Sequence, residues 1–479
     1  MKSRLKSFAL LALALTLGSA PAYANPLDLF GFGARGSAMG AMTAAADDYT
    51  AVYYNPGALA LAPSGMGAGL AVSYDDVAIR LKPRPSGYDL PDLGPGASVV
   101  GSRYRLRTRS DTTDIPNTYG LHIGGVGSLG TERLRIGFAA FLPLNRLGQQ
   151  VSPYPDEREQ YFSNSLQFEI IGQPASQQVL MLAAAYRLTS WLSMGLGMSM
   201  MPQSTTSSQV YVPDPGHQDK VNMTVTNDQV GRFAQLAGVL LTPAEHWQIG
   251  ATWRGENYFA INLDTELQIK GFQTDTGSYP IHQRSQVISN FQPHEFVIGA
   301  SYAEDNVQLV ADATYSLWSR YLNHQGEQNS GFSDTWSARV GGSWQVTPDR
   351  VLRAGLRWEP TPVPAQTGRT NYVDNDRIVA SVGAGHRVHM FGRDLELGWY
   401  IQATHLMPRD TNKAVRSSYP ACGPGVTTLC DEAPDSAVDP ATGKQIGAYQ
   451  GLQTGNPGFP GFASYGDIFA FGLDGRWAF

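Results

Sequence analysis

The sequence predicts an all-β transmembrane barrel of about 14 antiparallel strands with an N-terminal, partly helical hatch inside its lumen. Three observations carry that prediction. The last sixteen residues sort by parity: Tyr465, Phe469, Phe471, Leu473, Trp477 and Phe479 share one parity, while Ser464, Gly466, Ala470, Gly472, Asp474, Arg476 and Ala478 share the other. A strand projects successive side chains to opposite faces, so this segment has one greasy and one small or polar face, with aromatics at both ends of the greasy row. Rings placed at two water–lipid boundaries mark the closing strand of a bacterial outer-membrane barrel. The second observation is an export address at the start of the chain. The third is that alternating segments recur to the end with no linker and no shift in composition, although a soluble chain of this length would divide into domains of about 100–200 residues.

The export address occupies residues 1–24. Lys2, Arg4 and Lys6 precede the apolar run Phe8–Leu17, and Ala22-Tyr23-Ala24 supplies a small-residue cleavage site, the three parts of a secretory signal peptide. The apolar run falls short of the roughly 20 residues that a spanning helix needs. Removing three basic residues leaves 35 − 3 = 32 Lys and Arg against 41 Asp and Glu, a balance of −9, which excludes a generally nucleic-acid-binding charge.

Residues 25–65 form the next unit. Asn25–Pro63 reads NPLDLFGFGARGSAMGAMTAAADDYTAVYYNPGALALAP. Its Ala-rich stretch Ala38–Ala46 favours a short helix, and Asn55-Pro56-Gly57 signals a turn. Small apolar residues dominate, so the segment suits a confined space better than a solvated periplasmic arm, and it is expected to plug the lumen.

Residues 66–479 are expected to build the barrel. Residues 192–200 place Leu192, Met194, Leu196, Met198 and Met200 on one face with only Ser and Gly opposite. Residues 307–317 set Val307, Leu309, Ala311, Ala313, Tyr315 and Leu317 against Gln308, Asp312, Thr314 and Ser316. Trp336, Ala338, Val340, Trp344 and Val346 face away from Arg339, Ser343 and Gln345. Residues 247–269 keep one parity throughout and read as a single strand longer than the 9–11 residues needed to span, rising above the bilayer. Residues 66–81 and 115–129 alternate weakly. The tight polar connections 188–191, 242–246, 347–350 and 389–394 suit the periplasmic side, whereas 82–114, 147–166, 204–228, 271–285, 361–376 and 407–463 read as long external loops. The only cysteines, Cys422 and Cys430, fall in the last of these; in an exported chain they are expected to form a disulfide rather than a metal site.

The stretch RGSAMGAMTAAADDYTAVYYNPGALA resembles the N-terminal hatch of the FadL/TodX (OmpP1) family of outer-membrane transporters for long-chain fatty acids and other hydrophobic compounds. The matching positions are Ala46, Asp47, Asp48, Asn55, Pro56 and Leu59; Gly57-Ala58 stands where that family usually has Ala-Gly. The resemblance continues through residues 253–271, 312–321 and 339–364, and again at Asp374–Arg377 and Gly383–Gly385. It implies a 14-stranded barrel with Asp47, Asp48, Asn55, Pro56 and Gly57 in the hatch, and an exit for cargo through the wall at a kinked third strand. Pro143 lies in the segment expected to be that strand. Proline cannot donate to a ladder, so the strand must end, bulge or kink near Phe141–Asn145.

Catalytic chemistry finds no footing. There is no Gly-x-Ser-x-Gly elbow. His386 and His389 sit on opposite faces of a strand, and no metal-ligand cluster or phosphate-cradling loop occurs. The chain is therefore expected to be no enzyme and to need no cofactor. Asp312, Arg339 and Arg357 share lumen parity and are candidates for ligand binding or for a charge ladder bracing the interior. Arg103, Arg105, Arg107 and Arg109 share a face that fits lipopolysaccharide phosphates, the lumen or simple solvation. Charged lumen residues favour an aqueous porin; a plugged lumen argues against one. With the family resemblance, the reading is passive uptake of hydrophobic compounds, long-chain fatty acids before aromatic hydrocarbons, by hatch rearrangement in a monomer bathed in outer-membrane lipid.

Overall fold

The computed structural model describes residues 31–82, 117–144, 178–200, 204–211, 221–230, 232–269, 281–323, 326–328, 331–367, 370, 372–390, 392–414, 432–438, 445–454 and 461–479. Residues 1–24, the arginines of 103–109 and the cysteine pair lie outside this set. The strands, in chain order, are β1 (Gly65–Leu81), β2 (Tyr119–Ser128), β3 (Leu134–Pro143), β4 (Val179–Arg187), β5 (Leu192–Met200), β6 (Ser204–Tyr211), β7 (Val221–Val230), β8 (Phe233–Ala244), β9 (Trp247–Arg254) and β10 (Asn257–Ile269). They continue as β11 (Ile281–Gln292), β12 (Glu295–Glu304), β13 (Val307–Ser316), β14 (Thr335–Thr347), β15 (Arg350–Glu359), β16 (Arg377–Met390), β17 (Arg393–Asn412), β18 (Glu432–Val438), β19 (Gln445–Thr454) and β20 (Gly461–Ala478).

Fourteen of them close a barrel in the order β1-β2-β3-β4-β5-β8-β9-β12-β13-β14-β15-β16-β17-β20. The weakly alternating segments near residues 66–81 and 115–129 are full members of it. The last strand closes the ring on the first, antiparallel, from Gly65↔Ala478 to Leu81↔Phe462. Closure removes the unpaired edges that lipid could not satisfy. The outer face is the greasy one: Leu196, Leu473, Phe469 and Trp477 are exposed, while Gly472, Asp474 and Ala470 on the opposite parity are buried.

The expectation of one long strand over 247–269 is corrected by a break at Gly255-Glu256: β9 stays in the barrel and β10 joins a separate sheet, β11-β10-β7-β6. The stretches read as loops at 204–228 and 271–285 supply much of that sheet. Its order repeats the order of the barrel strands its members adjoin in sequence, β12-β9-β8-β5. The wall therefore continues above the barrel, and the described links between β9 and β10 and between β11 and β12 contain Gly255 and Pro293, residues that interrupt a ladder. In the stretch read as the loop 407–463, β17 instead runs on to Asn412 and β18 pairs with β19.

The plug begins the described chain. Helix α1 (Gly33–Met39) ends at Gly40, whose φ of 75° is the left-handed turn that glycine adopts without strain. Helix α2 (Ala51–Tyr54) leads into a 3₁₀ turn, Pro56–Leu61, started by the Asn55 side chain accepting from Gly57 N. The plug enters the lumen because the wall is bare where it passes. Gly67 and Gly124 lie beneath the Tyr49 ring, Gly137 meets Val52 and Leu59, and Gly195 and Gly238 meet Asn55–Gly57. Gly250 and Gly299 meet Thr43, Gly341 and Gly355 meet Met39 O, Gly383 meets Ala38 and Gly398 meets Ala34. At each of these glycines an added Cβ would crowd the plug.

Gly238→Val forces a branched side chain into the space of Asn55 and Gly57 N, an overpacking that costs about 1–3 kcal/mol. The plug amides over 55–60 should then exchange about tenfold faster while the barrel still inserts. Unchanged exchange there would contradict the close wall–plug approach.

Candidate functional site: the plugged lumen

A plug with little regular structure has backbone groups to satisfy, and the wall satisfies them. Asp312 on β13 accepts three hydrogen bonds at Oδ2: from Met42 N (2.9 Å), Thr43 N (3.1 Å) and Thr43 Oγ1 (2.8 Å). Asp474 on β20 accepts from Ala34 N at 2.7 Å. From other strands, Ser193 Oγ donates to Gly57 O (2.8 Å), Thr252 Oγ1 to Tyr54 O (3.0 Å) and Ser381 Oγ to Ala38 O (2.8 Å). Asn55, fully buried, donates from Nδ2 to Thr43 O (2.8 Å) and to Val239 O of the wall (3.0 Å). Pro56 and Gly57 complete that turn against β5 and β8.

Asp47 and Asp48 face the periplasmic end. Asp48 Oδ1 accepts from Thr50 N (2.8 Å) and Thr50 Oγ1 (2.6 Å), while Oδ2 pairs with Arg476 of β20. Arg476 also reaches Glu396 Oε2 (2.6 Å), and Glu396 Oε1 pairs with Arg353 (2.6 Å). Asp47 pairs with Arg35, which reaches Gln308 at 3.1 Å. These residues line a cavity of about 690 Å³ below the plug, also bordered by Asp349, Arg387 and Asp394. Its lining mixes these charges with Leu61, Met66, Val351 and Trp477.

Around its circumference the lumen has two characters. On β2 to β8 the inward side chains include Val126, Ala139, Phe141, Val179, Met181, Ala183, Ala185, Leu236 and Leu240, and these form one apolar cluster with Phe32, Met42, Tyr49, Val52, Tyr53 and Leu59 of the plug. From β9 to β17 the inward set includes Arg254, Asp312, Arg339, Arg353, Arg357, Glu359 and Arg377. Glu359 is the centre of this charged half. It takes Arg377 at 2.8 Å, Arg339 at 3.2 Å and Arg357 at 3.7 Å. Asp374 lies 3.5 Å from Arg377, and Arg254 pairs with Glu295 at 2.9 Å while standing over the Tyr53 ring.

Parity placed Asp312, Arg339 and Arg357 together, and they are cross-strand neighbours: Asp312↔Arg339↔Arg357. The Asp312 carboxylate, however, turns to the plug, and Arg357 is buried under Gly40, an arrangement that favours bracing over ligand capture. Arg377, Asp474, Arg476 and Glu396 were missed as site residues, and Glu359, whose lumen parity is legible in the sequence, was given no role of its own. Glu359 and Asp474 carried a usable signal: isolated carboxylates on lumen parity. Pro143 is the last residue of β3 and is buried on the inward parity; the ladders of β3 with β2 and β4 show no register shift.

Comparison with known proteins is consistent with this architecture. Residues 158–403 match the model of the outer membrane protein transport protein family (OMPP1/FadL/TodX). The chain is 23% identical over 381 residues to alkane uptake protein A of Marinobacter nauticus, covering 76% of this chain and 80% of that one. In fold it is similar to a crystal structure of a Pseudomonas aeruginosa FadL homologue, with a TM-score of 0.60 and 17% identity over 96% of this chain and 100% of that one. It is also similar to the P. putida toluene transporter TodX, with a TM-score of 0.50 and 12% identity over 94% and 99% of the two chains.

Asp312→Ala removes an acceptor of three hydrogen bonds, and bonds to a charged group contribute about 1.5–3 kcal/mol each. It should therefore loosen the plug by about 3 kcal/mol or more, read as protease cleavage within residues 40–60 of the folded barrel; Asp312→Asn, which keeps an acceptor oxygen, should be milder. Arg357→Ala leaves part of a buried charge cluster unpaired and should cost about 3–5 kcal/mol in unfolding experiments. If the arginine braces, uptake of a fatty acid and of the matched alcohol falls equally; a loss confined to the acid would place a ligand carboxylate on it.

Proposed function

This chain belongs to the OMPP1/FadL/TodX family of outer-membrane transport proteins, and on that premise we propose that it takes up long aliphatic compounds, fatty acids and alkanes, by passive diffusion. As a member of that family it is a transport channel of the bacterial outer membrane for hydrophobic compounds and not an enzyme. The aliphatic assignment rests on the alkane-uptake relative and on the reading of the sequence.

One observation carries the route: the apolar half of the lumen borders the place where the β3–β4 ladder stops. The β2–β3 ladder runs on to Gly120↔Pro143, and Leu144 N donates to Tyr119 O at 2.6 Å. Among the described residues, the β3–β4 ladder is paired as far as Phe141↔Val179, and Gln178 lies outside the strand. Successive residues of a strand direct their N–H groups alternately to the two neighbours. Leu144 donates toward β2, so the nitrogen of Pro143 faces β4 and has no hydrogen to offer. Phe141, Val179 and Met181 line the inner side of that seam. An apolar chain entering from above meets greasy side chains here, a charge cluster across the lumen, and a vestibule beneath the plug that carries several charges. Sideways exit into the membrane keeps it out of water, and desolvated hydrocarbon gains about 0.8 kcal/mol per buried CH₂.

Proteoliposomes carrying the wild-type barrel should take up labelled hexadecane and hexadecanoate above empty controls. Pro143→Val restores a donor toward β4. One regained hydrogen bond, about 1 kcal/mol, should hold the seam shut about fivefold more of the time, with a matching fall in uptake and normal insertion. Unchanged uptake in that variant would move the exit elsewhere on the wall.

A further inference from the structure

Among the described residues, the apolar half of the lumen contains buried polar atoms without a partner, Tyr49 Oη and His122 Nε2 among them, and His122 is the one carried by the wall strand next to β3. His122, on β2, is buried at 3% exposure, and its Nε2 makes no hydrogen bond. Its neighbours are greasy or bare. The Phe32 ring of the plug stands edge-on at 5.6 Å between centroids. Phe141 is its cross-strand partner on β3. The edge carrying Cε1 and Nε2 rests over Gly69 of β1, where an added Cβ would approach to 2.5 Å, so the absent side chain makes room for the ring. A buried nitrogen without a partner is costly relative to a satisfied one, so its place here asks for a visitor. That place is specific. The pair Gly120↔Pro143 lies one inward step above the pair His122↔Phe141, so the imidazole sits between the top of the plug and the end of β3.

We infer that His122 is a specificity-determining residue that hydrogen-bonds the polar end of an amphiphilic cargo, a hydroxyl or carboxyl group, as its hydrocarbon tail occupies the β3–β4 seam. The inference rests on the transport reading above and refines it. A tail leaving between β3 and β4 draws its polar end last past the plug, into surroundings lined mainly by apolar side chains. The arginines across the lumen are engaged with Glu359. An oxidised aliphatic compound gains a bond at His122 that an alkane cannot make, and a site built to pair a polar group rewards only ligands that carry one.

The test compares three labelled probes of equal chain length, hexadecane, 1-hexadecanol and hexadecanoate, in proteoliposomes of the full barrel, using material whose heat-modifiable migration is native. His122→Phe keeps an aromatic ring and removes both nitrogens. Uptake of the alcohol and the acid should fall about five- to tenfold relative to the alkane. His122→Gln, which keeps a hydrogen-bonding amide, should hold the wild-type ratios, and His122→Met carries the same comparison if the phenylalanine variant does not insert. Wild-type transport with all three probes responding alike to the substitution would overturn the inference and leave the transport reading standing. A wild-type barrel that moves none of them above empty liposomes would overturn both.

Discussion

Everything inside this barrel depends on how closely two backbones approach. The plug touches the wall through main-chain atoms: Gly57 against Gly238 O, Thr43 O against Gly250, and Met39 O against Gly341 and Gly355. Such proximity needs inward positions with no side chain. It also brings plug amides and carbonyls within reach of Asp312, Asp474, Ser193, Thr252 and Ser381. A buried polar backbone group left unpaired costs as much as a lost hydrogen bond, so an irregular plug is stable only where a wall supplies donors and acceptors at matching heights. The bare wall and the polar anchors are therefore one device, and neither holds the plug without the other.

The same packing explains the two-sided lumen. Plug side chains that meet the apolar arc include Val52 and Leu59 at Gly137 of β3 and Tyr49 at Gly124 of β2, and they share one cluster with aliphatic wall residues. On the other side the plug presents the small residues Ala34, Ala38 and Gly40, which leave room for long guanidinium side chains. Charges placed there must be neutralised locally because removing them from water is expensive, and Glu359 meets three arginines for that reason. An apolar path and a charged brace coexist in one lumen because they lie on opposite arcs of the wall. The aromatic and aliphatic arc is the one that runs into the end of β3.

The barrel was legible because its rule is local. Period-two alternation in β5, β13 and β20 needs no knowledge of a partner strand, and the lumen parity of Asp312, Arg339 and Arg357 followed from it. Breaks above the membrane were not legible: residues 247–269 keep their parity through Gly255, so period alone could not show that β9 and β10 belong to different sheets. Anchors were hidden for another reason. Asp474 meets Ala34 across 440 positions of sequence, and alternation states which face a side chain takes but not what waits there. Asp312 was chosen for its parity with two arginines, yet its oxygens go to Met42 and Thr43. Inward glycines were visible in the alternating strands as gaps opposite greasy residues, and their purpose became clear only with the plug beside them.

Sealing is where these contacts meet function, and ion conductance across a planar bilayer measures it most directly. The account predicts that the intact protein inserts with little steady conductance. Deleting residues 38–60, which carry the contacts to Asp312, Gly238 and Gly250, should leave a barrel that inserts and conducts. An intact protein with a large steady conductance, or a deletion variant that inserts and conducts no better than the intact one, would contradict it.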